Sequence, residues 1–324
     1  MKRKTKNWLG AGASLILVGL ILYVGAMTAL KWDYAKMSTI DYVSNTHEIK
    51  ESFRNISLKT DEARIVFALS KDGKCRVECY EEAKAVHAVA VKEATLSIEM
   101  THTRSWYDYI GIHYESPKIT VYLPKQEYNA LSINLNVGNI EIENKLAFTN
   151  ADIRLSTGNV NYGASTKEAI HIQIGTGNIS VGRLTAGSLD ISSAVGTVAI
   201  TDLTCKNDLT LGLTTGTTSL NDVFCGNLVS TATAGEITLD HVIAREKFTI
   251  ERDTGNIKFK GSDAAEIHVK TNTGNVSGSL LTNKVFLAKS ESGKVHLPPS
   301  TTGGPCKIDV LTGNIDMEID EKAE

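Results

Sequence analysis

Ten glycines mark this chain at almost constant intervals: Gly138, Gly158, Gly177, Gly196, Gly216, Gly235, Gly255, Gly274, Gly293 and Gly313. The steps between them are 20, 19, 19, 20, 19, 20, 19, 19 and 20 residues. Most sit in the phrase Thr-Gly-Asn-Ile/Val or a degraded form of it. The residues seven, five and three places before each glycine are mostly apolar or small, as in Leu131/Ile133/Leu135, Ile170/Ile172/Ile174 and Leu209/Leu211/Leu213. Two and four places after it the pattern resumes, as in Ile140/Ile142, Val198/Ile200 and Ile257/Phe259. Alternation of this kind is a strand with one buried face. The glycine between two such strands is a corner that needs a positive φ or the absence of a Cβ.

A strand–corner–strand unit cannot bury its inner face alone, whereas coils stacked about 4.8 Å apart can. The sequence therefore predicts an all-β chain: a parallel β-solenoid (β-helix) over residues 131–318 with about nine to ten coils of 19–20 residues, forming a rod of roughly 45 Å. Asn139, Asn159, Asn178, Asn256, Asn275 and Asn314 follow their glycines and are expected to form a hydrogen-bonded ladder along the rod. The coil length does not suit a left-handed hexapeptide helix, and neither the calcium-binding nonapeptide pattern nor a leucine-rich repeat is present.

Residues 8–30 run without a charge for 23 residues, enough to span roughly 34 Å as a helix. Trp8 and Trp32 flank the run, and Lys2, Arg3, Lys4 and Lys6 precede it. The positive-inside bias puts residues 1–7 in the cytoplasm and the rest of the chain outside, anchored by one transmembrane helix. A cleaved signal peptide ending near Val24-Gly25-Ala26 is the alternative, and it exports the same residues. Residues 31–50 are expected to be a juxtamembrane linker, 51–130 a β-rich cap over the open end of the solenoid, and 319–324 an acidic tail. Pro298-Pro299 through Gly303-Gly304-Pro305 reads as a loop inserted before the final coil.

The net charge is −3 with acids and bases interspersed, which argues against a nucleic-acid partner. Trp106, Tyr107, Tyr109 and Tyr114 form an aromatic cluster, a candidate contact patch or a lid over the solenoid's end. His102 and His113 are too far apart, with no acidic partner at fixed spacing, to argue for a metal. Cys205 and Cys225 each lie nine residues after their glycine and should stack in adjacent coils, either as a disulfide or as two buried thiols. Cys75 and Cys79 are four apart in a strand-like run and cannot bridge, and Cys306 falls on an inward position. No catalytic, metal or cofactor-binding motif emerges. Glu141, Glu143, Asp190, Asp202, Asp240 and Arg245 are outer charges that no repeat position gathers into a site.

The N-terminal helix, the Leu123-Pro124 step and the serial Thr-Gly-Asn-Ile/Val corners resemble the bacterial adhesin-like domain of unknown function DUF4097, including LiaG- and YvlB-like proteins, over roughly residues 45–318. The resemblance implies a right-handed solenoid, an envelope location and, in some members, a neighbourhood of envelope-stress genes. It carries over no catalytic residues. The expected role is non-catalytic, structural or adhesive, with cell-wall polymer or another envelope protein as partner. A stress-sensing component and a carbohydrate-active β-helix enzyme are the alternatives, and a groove of convergent acids and bases would favour the enzyme.

Overall fold

The computed structural model describes residues 3–33, 41–102 and 116–320. Helix α1 (Arg3–Ala29) contains the apolar run Trp8–Ala29, 22 residues long and able by length and composition to cross a membrane. Most of its described side chains lie open, with Leu15 73% and Ile16 70% exposed, while Met27 is buried.

The remaining described chain is a β-solenoid of about ten coils. Its body comprises β7 (Glu127–Ile142), β8 (Ala147–Tyr162), β9 (Ser165–Thr176), β10 (Ile179–Cys205), β11 (Leu209–Ala234), β12 (Ile237–Thr254), β13 (Ile257–Thr273) and β14 (Val276–Leu280), paired in parallel from one coil to the next. The alternation read from the sequence is the burial pattern of the coil. In β10, Leu189 and Ile191 point inward before the corner, Val198 and Ile200 after it, and Leu203 and Cys205 in a short closing run, all at most 3% exposed.

The corner glycines form a column. Gly158 has φ +140°, and a Cβ on it would lie 1.6 Å from the carbonyl oxygen of Gly138; Gly216, at φ +153°, would meet Gly196 O at 1.7 Å. Conformation and close approach therefore both demand glycine. Beside the column, Oδ1 of Asn139 accepts from the backbone N and Nδ2 of Asn159, at 3.1 and 2.8 Å, and Asn159 in turn accepts from Asn178. The asparagines give way to Thr197, whose backbone N still donates to Asn178 Oδ1, then to Thr217 and Glu236, and resume at Asn256, Asn275 and Asn314. A second corner stands six residues after the first, at Arg183, Asp202, Asp222, His241 and Gly261, all with φ between 52° and 58°. Four of these five are not glycine, so the repeat read from glycines alone does not reveal it.

Stacking departs from chain order at both ends. At the C-terminal end β17 (Gly304–Thr312) and β18 (Ile315–Ile319) lie between β13/β14 and the earlier β15 (Lys284–Ser292) and β16 (Val295–His296). Gly313 thus stacks on Gly274, and Gly293 on Gly313. This corrects the expectation of ten corners stacked in series, and Gly293, on the outermost layer, lacks the positive φ of the others. The loop through Pro298 and Gly303 carries the chain from the outer layer back to the inner one. The acidic tail begins one residue later than expected, since β18 includes Ile319.

At the N-terminal end β2 (Asn55–Leu69) is a solenoid coil, not cap, and Ala63 opposes Gly138 at the head of the glycine column. Its other edge pairs in parallel with β5 (Thr95–His102) and β6 (Lys118–Leu123). The stack then closes with antiparallel strands: β3 (Cys75–Glu82) on β6, β4 (Ala85–Lys92) on β5, and β1 (Tyr42–Ile49) on β3. The stretch 31–50 is therefore not all linker. Val43, Asn45, His47 and Ile49 alternate inward, which is why it forms a strand.

Candidate functional site

The body of the rod carries a long groove on the strand before each glycine. Its floor is formed by the outward residues four and two places before the corner. Over six coils the first row reads Asn134, Arg154, Gln173, Ser192, Gly212 and Thr231; the second includes Ser156, Gly175, Ala194 and Thr214. Small side chains at the middle coils leave an open depression of about 630 Å³. A smaller depression of about 270 Å³, lined by Glu251, Arg252, Asp253, Lys270 and Asn272, shares Leu213 and Thr231 with it. Together they cross eight coils, roughly 34 Å at coil spacing.

The larger depression is nearly neutral. Its one charged residue, Arg154, is held by Asp152 at 3.2 Å. Along the groove the inward row reads Leu135, Leu155, Ile174, Ser193, Leu213, Ala232, Arg252 and Thr271, aliphatic at the N-terminal end and more polar toward the C-terminal end. Arg252 is 3% exposed and donates to Ser230 O (3.0 Å), Ser230 Oγ (2.9 Å) and Glu251 O (2.9 Å). Burial pushes its guanidinium down to about 10, and its Nε has no partner among the described residues.

Gly212 differs from the corner glycines. Its φ is ordinary and a Cβ there would lie 4.0 Å from its nearest neighbours, Ile191 O and Thr231 Oγ1, so a side chain would enter the groove without a clash at its base. Gly175, in the same groove, would clash with Ser156 O at 2.5 Å.

The outer charges singled out from the sequence serve the stack. Glu141 pairs with Arg64 at 3.3 Å, Glu143 accepts from Leu69 N at 3.0 Å, and Asp190 faces His171 at 3.1 Å. Asp240 holds His241 and Lys260 at 2.9 and 3.1 Å, Asp202 sits at the second corner, and Arg245 donates to Lys206 O. None of them lines the groove.

The five cysteines are buried free thiols. The disulfide considered for Cys205 and Cys225 is not formed. Cys205 Sγ donates to the carbonyls of Gly187 and Asp208, both at 3.4 Å, and Cys225 Sγ to Ile243 O at 3.9 Å. The aromatic patch Trp106, Tyr107, Tyr109 and Tyr114, together with His113, lies outside the described residues, as does the side chain of His102. The groove was not read from the sequence: alternation separates inward from outward residues, and concavity arises only when small outward residues coincide across several coils.

The family profile of Toastrack DUF4097 matches residues 53–223 and 204–324. The fold is similar to the crystal structure of a candidate adhesin from Bacteroides fragilis, with 17% identity over 86% of this chain and 97% of that one and a TM-score of 0.40. It is also similar to a candidate lipid-binding protein from Parabacteroides distasonis, with 15% identity over 85% and 96% of the two chains and a TM-score of 0.47. Among curated proteins, none matches.

Proposed function

From the premise that this chain belongs to the Toastrack DUF4097 family, we propose that it is a non-catalytic surface protein, anchored by α1 with its N-terminus in the cytoplasm and its rod outside, that holds an extended polar polymer of the cell envelope along its groove. The groove carries this reading. It is long, shallow and nearly neutral, no aromatic ring lines it, and its small polar floor, set among Leu135, Leu155, Ile174 and Leu213, suits a hydroxyl-rich chain such as a cell-wall glycan.

The test uses Gly212. Full-length chain in detergent micelles is incubated with isolated cell-wall polymer and sedimented. Wild type is expected to co-sediment, and Gly212→Arg to lose most of that binding with little change in melting temperature, because a Cβ there makes only ordinary contacts at 4.0 Å. Equal binding by the two proteins would sink the groove as the site.

A carbohydrate-active enzyme is the second reading, favoured only by the far end of the groove, where Glu251 and Asp253 flank Arg252. Shortened polymer after incubation, abolished by Glu251→Gln, would select it over simple binding.

A further inference from the structure

We propose that Cys79, Glu81 and His87 form a zinc site inside the N-terminal cap, where it ties strands β3 and β4 together. Cys79 and Glu81 are two apart on β3, so their side chains leave the same face, and His87 enters from β4. Their ligand atoms lie within 4.8 Å of one another, and all three residues are buried. A tetrahedral zinc shell of thiolate, imidazole and carboxylate needs donor separations of roughly 3.3–3.8 Å. Reaching that requires only small side-chain movements, chiefly opening the 2.6 Å contact between His87 Nδ1 and Glu81 Oε2.

The surroundings are those of a ligand set. The side chains of His87 and Glu81 are 0% and 1% exposed, and Glu81 Oε2 accepts from His87 twice, from Nδ1 at 2.6 Å and from the backbone N at 2.8 Å. A buried carboxylate left with only hydrogen bonds is costly, whereas a divalent cation would compensate it directly. His87 Nε2 is held by Thr60 Oγ1 at 2.8 Å, which turns Nδ1 toward Glu81. Asn45 Nδ2 donates to Glu81 Oε1 at 2.7 Å. Outer partners of this kind orient metal ligands. One soft sulfur with one imidazole favours zinc over calcium or magnesium. The fourth position falls to water. Binding releases the Cys79 thiol proton to solvent and leaves a thiolate on the metal.

The full chain in detergent is equilibrated with zinc, freed of loosely held ion by gel filtration and assayed for metal, then loaded with cobalt in place of zinc. The expected results are one tightly held ion per chain and a thiolate-to-cobalt charge-transfer band. That band should vanish in Cys79→Ser and persist in Cys225→Ser. His87→Gln, which keeps an amide to meet Thr60, should weaken zinc affinity at least roughly tenfold. Failure of wild-type protein to retain metal, a band that survives Cys79→Ser, or unchanged affinity in His87→Gln would each overturn the site. The wild-type measurement does not depend on any variant folding.

Discussion

The two ends of the solenoid solve one problem differently. Both would expose a row of unpaired backbone groups, and both depart from chain order to deal with it. The N-terminal end reverses strand direction: β1, β3 and β4 close over β5 and β6 as antiparallel strands, so the parallel edge is consumed. The C-terminal end stays parallel and interlocks instead, slotting β17 and β18 beneath β15 and β16. Its outermost strand is still an edge, with Leu287 62% and Val285 39% exposed. That strand is gated by Lys289, Glu291 and Lys294 in and beside it, a charge pattern that discourages pairing with other strands. One buried ion pair reinforces the interlock. Lys284 Nζ on the outer layer reaches Asp263 Oδ1 at 2.6 Å, bypassing the inserted layer at Gly304, where a Cβ would lie 2.0 Å from Ala265 O. Termination by reversal relies on hydrogen-bonded polar groups, and termination by interlock relies on a layer that cannot be removed from the outside.

Measurements can break this contrast. Truncation after residue 303 should cause the largest change. It removes Cys306, Ile308, Val310, Ile315 and Met317, all at most 3% exposed, and strands β15. At ~1.5–3 kcal/mol per buried side chain the loss is about 10 kcal/mol, and thermal unfolding followed by circular dichroism should show the C-terminal coils gone. An unfolding midpoint equal to wild type would mean the inserted layer is not structural. Next comes Gly216→Ala in the middle of the rod, expected to cost more than about 4 kcal/mol, because its Cβ would overlap the carbonyl of Gly196 at a φ of +153°. Lys284→Met should cost about 3–4 kcal/mol by leaving Asp263 buried and unpaired, and Lys284→Met with Asp263→Leu should recover most of it. If the double variant is no more stable than the single one, the pair is not what locks the end. Ala63→Gly, at the one column position that already bears a Cβ, should cost only about 1 kcal/mol in chemical denaturation. The smallest effect concerns reactivity. Burial pushes the thiols of Cys225 and Cys306 up to about 12, so at neutral pH they carry almost no thiolate and should resist alkylation until the chain unfolds.

How much of this was legible in the sequence follows from how local each signal is. The glycine column and its Asn ladder are periodic, and every coil repeats the steric demand, so the body of the rod could be read directly. The second corner at Arg183, Asp202, Asp222 and His241 varies in residue type, because a left-handed φ near 52–58° is open to several side chains at modest cost. The order of the last two coils was not legible: Gly293, in Ser-Gly-Lys-Val, departs from the Thr-Gly-Asn-Ile of Gly313, but a degraded corner does not say which layer stacks where. Nor was the groove, which depends on Ser192, Gly212 and Ala194 happening to be small in neighbouring coils. The Cys79–Glu81 alternation was visible, but His87 joins it only through the pairing of β4 with β5 and of β3 with β6.

The inserted layer also imposes a timetable. Residues 304–319 are made after residues 284–296, yet they lie beneath them. Until residues 304–319 are in place, β15 and β16 lack the strands they finally pair with, while the edges of β13 and β14 stay open. A chain ending before residue 304 therefore leaves the β13 edge without its final partner, open to mispairing with β15 or with another chain.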